Sequence, residues 1–200
     1  MMEYLRDPKA IYARSFAIIR AEADFSHLPK DSESVAARVI HACGIPEIAG
    51  DLRISKDFFE VAKAAIHAGR SILVDAEMVR HGIIDKSLSV ICTLNDAPAA
   101  NDTTRSAAAV ELWRPHLEKA LVVIGNAPTA LFALLDLIDA GAPRPAAIVG
   151  FPVGFVGAAE AKDELHANSR GLPYATLLGR KGGSAMAAAV VNALTRDEPR

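Results

Sequence analysis

The sequence predicts an α/β fold, a three-layer sandwich in which a mostly parallel five-stranded sheet is flanked by helices. Five short apolar runs are too continuous for strands with one face in water, and are typical of parallel strands buried on both faces. Helical patterns separate most of these runs, and this alternation favours right-handed crossovers between parallel strands. The five runs are residues 71–75, 89–93, 121–124, 146–149 and 174–178.

Three helices are predicted before the first strand. The pair Asp7-Pro8 begins the first helix, because aspartate accepts hydrogen bonds from free backbone N–H groups and proline suits the first helical position. A second helix follows Asp31 and ends at Gly44, where glycine permits a left-handed cap. A third helix spans residues 55–68 and also ends at a glycine. The later helices are predicted at residues 103–114, 129–140, 158–168 and 184–194.

Length and composition predict one domain over residues 1–200, with no internal repeat or linker. The net charge of −2 gives no basic surplus for nucleic acid or an anionic membrane surface. No apolar run approaches the ~20 residues of a membrane span, and the first residues lack the apolar core of a signal peptide, so we expect a cytoplasmic protein. The two cysteines form no metal-binding or disulfide pattern.

Arg38 and His41 lie in the last turns of the second predicted helix. The helix dipole there favours the imidazolium form of His41, whereas the nearby Arg38 cation disfavours it. Such a pair suits binding an anion and transferring a proton near neutral pH. A capping or half-buried structural histidine is the alternative. Ser15 interrupts the apolar face of the first helix, and its hydroxyl either bonds a carbonyl four residues earlier or points into a polar cavity.

Three predicted strands run into glycine-rich turns, at residues 125–129, 150–157 and 179–184. The carboxyl edge of a parallel sheet is where ligands commonly bind, and helix N-termini there present free N–H groups to anions. None of the three turns matches a nucleotide-binding fingerprint. A nucleotide- or cofactor-dependent enzyme that uses the same edge remains possible on fold alone.

Two charged residues at this edge bear on function. Arg105 lies in the first turn of a predicted helix, where the dipole disfavours a cation, which indicates that it is directed at a negative group. Asp75 directly follows the first predicted strand. Its carboxylate either orients His41 or caps a helix, and we favour the cap.

Seven motifs spread along the chain together resemble the precorrin-8X methylmutase family of cobalamin biosynthesis. The likeness covers nearly the whole chain, in the same order. The motifs are SFAIIR at 15–20, RVIHACG at 38–44, DAEM at 75–78, TRSAAA at 104–109, GNAPTAL at 125–131, PVGFVGAAE at 152–160 and GGSAM at 182–186.

This resemblance implies a homodimeric α/β isomerase that moves a methyl group from C-11 to C-12 of precorrin-8X, a tetrapyrrole, to give hydrogenobyrinate. It implies no cofactor and no metal. By motif, the family's proton donor/acceptor falls on His41, and its substrate contacts fall on Ser15, Arg38 and Arg105. Two alternatives stay open: a cobalt-precorrin-8 methylmutase, and a non-catalytic carrier that binds the corrinoid and passes it on.

Overall fold

A computed structural model describes residues 3–99 and 102–195 of the chain. They form one six-stranded sheet of order β1-β6-β5-β4-β2-β3. Strand β1 pairs antiparallel with β6, and the other four pairings are parallel. The predicted α/β class is therefore confirmed. The strands are β1 Leu52–Ile54, β2 Ile72–Val74, β3 Val90–Cys92, β4 Leu121–Ile124, β5 Ala147–Gly150 and β6 Tyr174–Leu177.

The sixth strand, β1, is an addition to the five that the sequence predicts. It has only three residues and follows directly on a 3-10 helix over Pro46–Asp51, so no periodic pattern marks it. Its pairing with β6 places Leu52 opposite Leu177 and Ile54 opposite Ala175. Strand β1 therefore exists because β6 offers an edge to pair with, which is information from a distant part of the chain.

Seven of the eight α-helices of the described residues correspond to predicted ones. The Asp7 carboxylate accepts hydrogen bonds from the backbone N–H groups of Lys9 and Ala10, as a helix cap should. Gly44 adopts the left-handed conformation at φ 70° that ends the second helix. The helices are α1 Pro8–Glu22, α2 Glu33–Cys43, α3 Phe58–His67, α4 Glu77–Gly82, α5 Arg105–Glu111, α6 Pro128–Asp139, α7 Ala158–Ala167 and α8 Ser184–Thr195.

Two helical details differ from the prediction. The six-residue helix α4 was not predicted, because it is too short for a periodic apolar face. The helix predicted at 103–114 ends at Glu111, and a 3-10 turn over Arg114–His116 follows it. Pro115 explains why the α-helix does not continue, since proline has no backbone N–H to donate the next helical hydrogen bond.

Two apolar clusters lie on opposite faces of the sheet and confirm the three layers. One contains residues from α2, α3, α4 and α8, and the other contains residues from α5, α6 and α7. Strand β4 shows the division, because Leu121 and Val123 belong to the first cluster and Val122 and Ile124 to the second. Helix α1 packs against α2. Helix α2 in turn packs against α8, so α2 lies between α1 and α8.

The chain leaves β2 and β4, which are neighbours, in opposite directions. In open α/β sheets such a switch point is the usual ligand crevice. Here Asp75, only 2% exposed, fills it. Its carboxylate accepts hydrogen bonds from the backbone N–H groups of Gly125, Asn126 and Ala127 at 2.8, 3.0 and 2.7 Å. The helix cap that we favoured for Asp75 is therefore wrong, because the following helix α4 has Ala76 at its N-cap position and no side-chain cap. The carboxylate does not bond His41 either, and its partners are the amides of the first glycine-rich turn.

This arrangement also bears on the nucleotide-dependent alternative. A phosphate at the switch point would need the N–H groups that already bond Asp75. The turn is closely packed as well, because a Cβ atom at Gly125 would lie 2.7 Å from Cβ of Ala187 and 2.9 Å from Cα of Ser184. The crevice is thus filled by the protein itself.

Candidate active site

Ser15 and His41, predicted separately from the sequence, meet in the structure. The Ser15 hydroxyl oxygen lies 2.9 Å from Nδ1 of His41, across the contact between α1 and α2. His41 is exposed and Ser15 is half-buried. The Ser15 hydroxyl therefore bonds an imidazole of the neighbouring helix, a partner that neither interpretation from the sequence named.

Two aromatic rings of α1 form a wall beside the imidazole. Phe16 stacks on His41 with ring centroids 5.1 Å apart and an angle of 21° between the planes. The Tyr12 ring is tilted, with its centroid 5.3 Å from that of His41. Sequence reasoning missed both residues. Tyr12 lies four residues before Phe16 and three before Ser15, and this spacing could have indicated that Tyr12 neighbours both on α1.

Arg38 is buried behind these rings rather than lining an open surface. It is 5% exposed, and its Nη1 donates a hydrogen bond to the Tyr12 hydroxyl. The guanidinium carbon lies 5.6 Å from the ring centroids of both Tyr12 and Phe16, which is cation–π distance. Its Nε is buried without a hydrogen-bond partner. Within the described residues, no carboxylate is at ion-pair distance, so the positive charge of Arg38 is not neutralised.

The environment of His41 lowers its pKa. Partial burial is the larger cause, because it disfavours the charged imidazolium, and the cation of Arg38 acts in the same direction. Both causes therefore favour the neutral imidazole over the imidazolium.

Replacing Arg38 with methionine should raise the pKa of His41. Removing the cation makes the imidazolium less unfavourable, while burial, the larger cause, remains, so the pKa should stay below the usual value for histidine. NMR titration of the imidazole resonances measures this shift. The limb of the pH–rate profile that His41 controls should move to higher pH in the same variant.

A matched control for this variant is Arg14→Met. Arg14 is an exposed cation of α1, and its removal should leave the titration of His41 unchanged. We expect Arg38→Met to fold normally, since methionine can fill the space of a buried side chain that has an unbonded nitrogen. An unchanged His41 pKa in this folded variant would contradict the electrostatic role of Arg38.

A cleft of about 220 Å³ opens beside the imidazole. Its wall is mostly aliphatic, and the Ser15–His41 pair supplies polar atoms to it. Arg38 is not part of its lining, so the site is less rich in arginine than the sequence suggests. The lining residues are Ser15, Ile18, Ile19, Glu22, Ile40, His41, Gly44 and Pro46.

Arg105 lies on the other side of the sheet from this cleft. It is exposed at the first position of α5, which packs against α6. The preceding residue, Thr104, caps the helix by accepting a hydrogen bond from the Ala107 N–H, and its hydroxyl lies 2.7 Å from that of Thr129. The structure therefore places Arg105 at the carboxyl edge of the sheet but not in contact with His41.

The other two glycine-rich turns are bonded to each other. The Gly183 N–H donates to the carbonyl of Phe151 at 2.8 Å, and the Gly154 N–H donates to that of Arg180 at 3.3 Å. Phe155 is 86% exposed, and the Arg180 guanidinium carbon lies 5.6 Å from its ring centroid. This edge thus presents an apolar ring and a cation side by side.

Among residues 3–99 and 102–195, no group of three or more His, Cys, Asp or Glu side chains is placed to hold a metal ion. Within the same residues, no helix combines the length and apolar character that crossing a membrane requires.

Comparison with known proteins identifies the family. The family profile described as Precorrin-8X methylmutase matches residues 10–197. The chain belongs to the precorrin-8X methylmutase family. It is similar to the precorrin-8X methylmutase of Pseudomonas aeruginosa, with 56% identity over 98% of this chain and 99% of that protein. It is also similar to the cobalt-precorrin-8 methylmutase of Methanothermobacter thermautotrophicus, with 36% identity over 86% of this chain and 83% of that protein.

A solved structure supports the same assignment. The precorrin-8X methylmutase from Thermus thermophilus superimposes with a TM-score of 0.83 at 38% identity, covering 93% of this chain and 94% of that one. The chain is therefore an isomerase of cobalamin biosynthesis, and its α/β architecture is that of its methylmutase relatives.

Proposed function

We propose that this methylmutase moves the methyl group from C-11 to C-12 of precorrin-8X and releases hydrogenobyrinate. In this proposal His41 is the proton donor/acceptor, and Ser15 and Arg105 contact the substrate. Arg38, which the sequence also predicts as a substrate contact, is buried behind Tyr12 and acts on the substrate through its charge. The observation that carries the proposal is the imidazole of His41 bonded to Ser15 at the mouth of a cleft, in surroundings that lower its pKa. Two relatives above 50% identity are named precorrin-8X methylmutases, whereas several cobalt-precorrin-8 methylmutases share 32–37%, which favours the metal-free substrate.

The proposed rearrangement requires the transfer of one proton and a substrate that is held in one conformation. The rearrangement is intramolecular, so no second reactant has to be bound, and positioning supplies much of the acceleration. With Nδ1 of His41 bonded to Ser15, Nε2 is the ring nitrogen left to face the substrate. A serine hydroxyl both donates and accepts hydrogen bonds, so Ser15 can accompany either tautomer as the proton moves. An imidazole that is neutral at pH 7 can accept a proton from the ring system and return it.

The substrate carries many acetate and propionate groups, and the proposed contacts suit that charge. Arg38 supplies a positive charge that no carboxylate of the described residues neutralises, so an anionic ligand beside His41 would gain from it. Arg105 offers an exposed guanidinium across the sheet edge, available to carboxylates at the far side of a wide macrocycle. The cleft of about 220 Å³ is smaller than the ~300–1,000 Å³ typical of a small-molecule site, so we expect the ring to extend along the carboxyl edge.

The remaining parts of the proposal concern assembly and location. We propose that residues 1–200 act as a single domain, that two copies form a homodimer as the family resemblance implies, and that the enzyme works in the cytoplasm without a cofactor. The small net charge of −2 favours a small-molecule substrate as the partner over nucleic acid or a membrane surface.

Incubation of the purified protein with precorrin-8X, followed by visible absorption, tests the function. Conversion should change the chromophore permanently, and the extracted product should be hydrogenobyrinate. Cobalt-precorrin-8 offered in parallel should react more slowly. A shifted spectrum that reverts when the protein is denatured would indicate a carrier and contradict the proposal, as would an unchanged spectrum.

A further inference from the structure

Lys162 is a buried charged residue that the proposed reaction does not use. It lies in the first half of α7 and is 0% exposed. Its ammonium donates a hydrogen bond of 2.6 Å to the main-chain carbonyl oxygen of Lys181. Within the described residues, Lys181 is its one hydrogen-bond partner, and no carboxylate forms an ion pair with it. Burying a cation is unfavourable unless it is well bonded, so this single contact calls for an explanation.

Burial also changes the titration of this lysine. It lowers the pKa of Lys162 to about 8, against the opposing charges of Asp163 and Asp51. At pH 7 most of the side chain is still charged. The bond to the Lys181 carbonyl is therefore a charge-assisted hydrogen bond in a buried setting, which is stronger than a neutral one.

The carbonyl that Lys162 binds belongs to the loop at residues 179–183, between β6 and α8. Arg180 and Lys181 in this loop are exposed cations. The Leu178 N–H, just before the loop, donates to the carbonyl of Asp51 at 3.0 Å, and helix α8, which follows the loop, packs against α2. These contacts place the loop on the side of the sheet that carries α2. A Cβ atom at Gly182 would lie 2.5 Å from the carbonyl oxygens of Phe151 and Pro152, so this loop touches the neighbouring one directly.

We infer that Lys162 is a positioning residue that holds the 179–183 loop, so that Arg180 and Lys181 stand at the rim of the active site toward substrate carboxylates. The loop is fixed on one side by its backbone contacts with residues 151–154 and from beneath by the Lys162 ammonium. The inference rests on the proposed function for what the cations bind. Because the loop does not contact the imidazole, its release should weaken binding of the substrate and spare the proton-transfer step.

The variant Lys162→Met tests this inference, since methionine keeps a long unbranched stem and removes the donor and the charge. Amide hydrogen exchange in residues 179–183 should become about tenfold faster or more, as expected for the loss of a charge-assisted hydrogen bond. KM for precorrin-8X should rise about tenfold, with kcat within about twofold of the parent. Lys63→Met, a lysine of α3 whose ammonium lies over Phe59, is the matched control and should change neither quantity.

The hydrogen-exchange result does not depend on the substrate, so it separates this inference from the proposed reaction. Exchange in the loop that is unchanged by Lys162→Met would overturn the positioning role. Faster exchange with an unchanged KM would overturn the part assigned to Arg180 and Lys181. If the variant does not fold, NMR of the parent protein decides: the Lys162 ammonium protons should exchange slowly and show coupling to the Lys181 carbonyl carbon, and a freely exchanging ammonium would overturn the inference.

Discussion

Replacing His41 with alanine should lower kcat for methyl migration by a factor of about 10²–10⁴, which is the usual contribution of a positioned acid or base. The structure gives the reason: Nδ1 of the imidazole bonds Ser15, Nε2 has no hydrogen-bond partner among residues 3–99 and 102–195, and the surroundings lower the pKa and so favour the neutral form. Alanine at this position leaves no group of similar chemistry on α2. Stopped-flow or steady-state absorption of the corrinoid chromophore measures the loss.

The fold should survive this change, because His41 is exposed at the end of α2 and the helix still ends at Gly44. Thermal unfolding and sedimentation should therefore match those of the parent. His67→Ala is a matched control, since His67 is an exposed histidine in the last turn of α3 and lies outside the cleft. Near-normal methyl migration in the His41→Ala variant would remove the proposed proton transfer from this residue.

Replacing Asp75 with alanine should lower the free energy of unfolding by about 3 kcal/mol or more. The change leaves the N–H groups of Gly125, Asn126 and Ala127 without their acceptor, and a buried donor without a partner is unfavourable by ~1–3 kcal/mol. Burial raises the pKa of Asp75, and the three N–H bonds act in the opposite direction by favouring the carboxylate. Urea unfolding followed by circular dichroism measures the loss of stability.

Asp136→Ala serves as the control for this measurement. Asp136 is an exposed aspartate of α6, and surface substitutions of this kind usually change stability by less than about 0.5 kcal/mol. If Asp75→Ala were as stable as the parent, the turn after β4 would have another source of order. Such a result would also reopen the switch point between β2 and β4 to an anionic ligand.

Local signals in the sequence predicted much of the fold correctly. The apolar runs predicted five of the six strands, and the cap residues Asp7 and Gly44 lie where α1 begins and α2 ends. These signals act over a few residues, through side-chain burial and backbone hydrogen bonding, so they can be read without knowing the rest of the chain. Strand β1 and helix α4 were not predicted, because three and six residues are too few to show a periodic pattern of apolar side chains.

The candidate active site, like the fold, has a part that the sequence predicted and a part that it did not. Residue types and motif order, read from the sequence alone, were enough to select Ser15, Arg38, His41 and Arg105 and to indicate the family, which the comparisons then confirmed. Only the tertiary structure decided that Ser15 bonds the imidazole, that Arg38 is buried behind Tyr12, and that Arg105 lies across the sheet. These facts depend on how α1 packs against α2 and on which sheet face each helix covers. Packing of that kind joins residues far apart in the chain, and no local pattern encodes the distance between them.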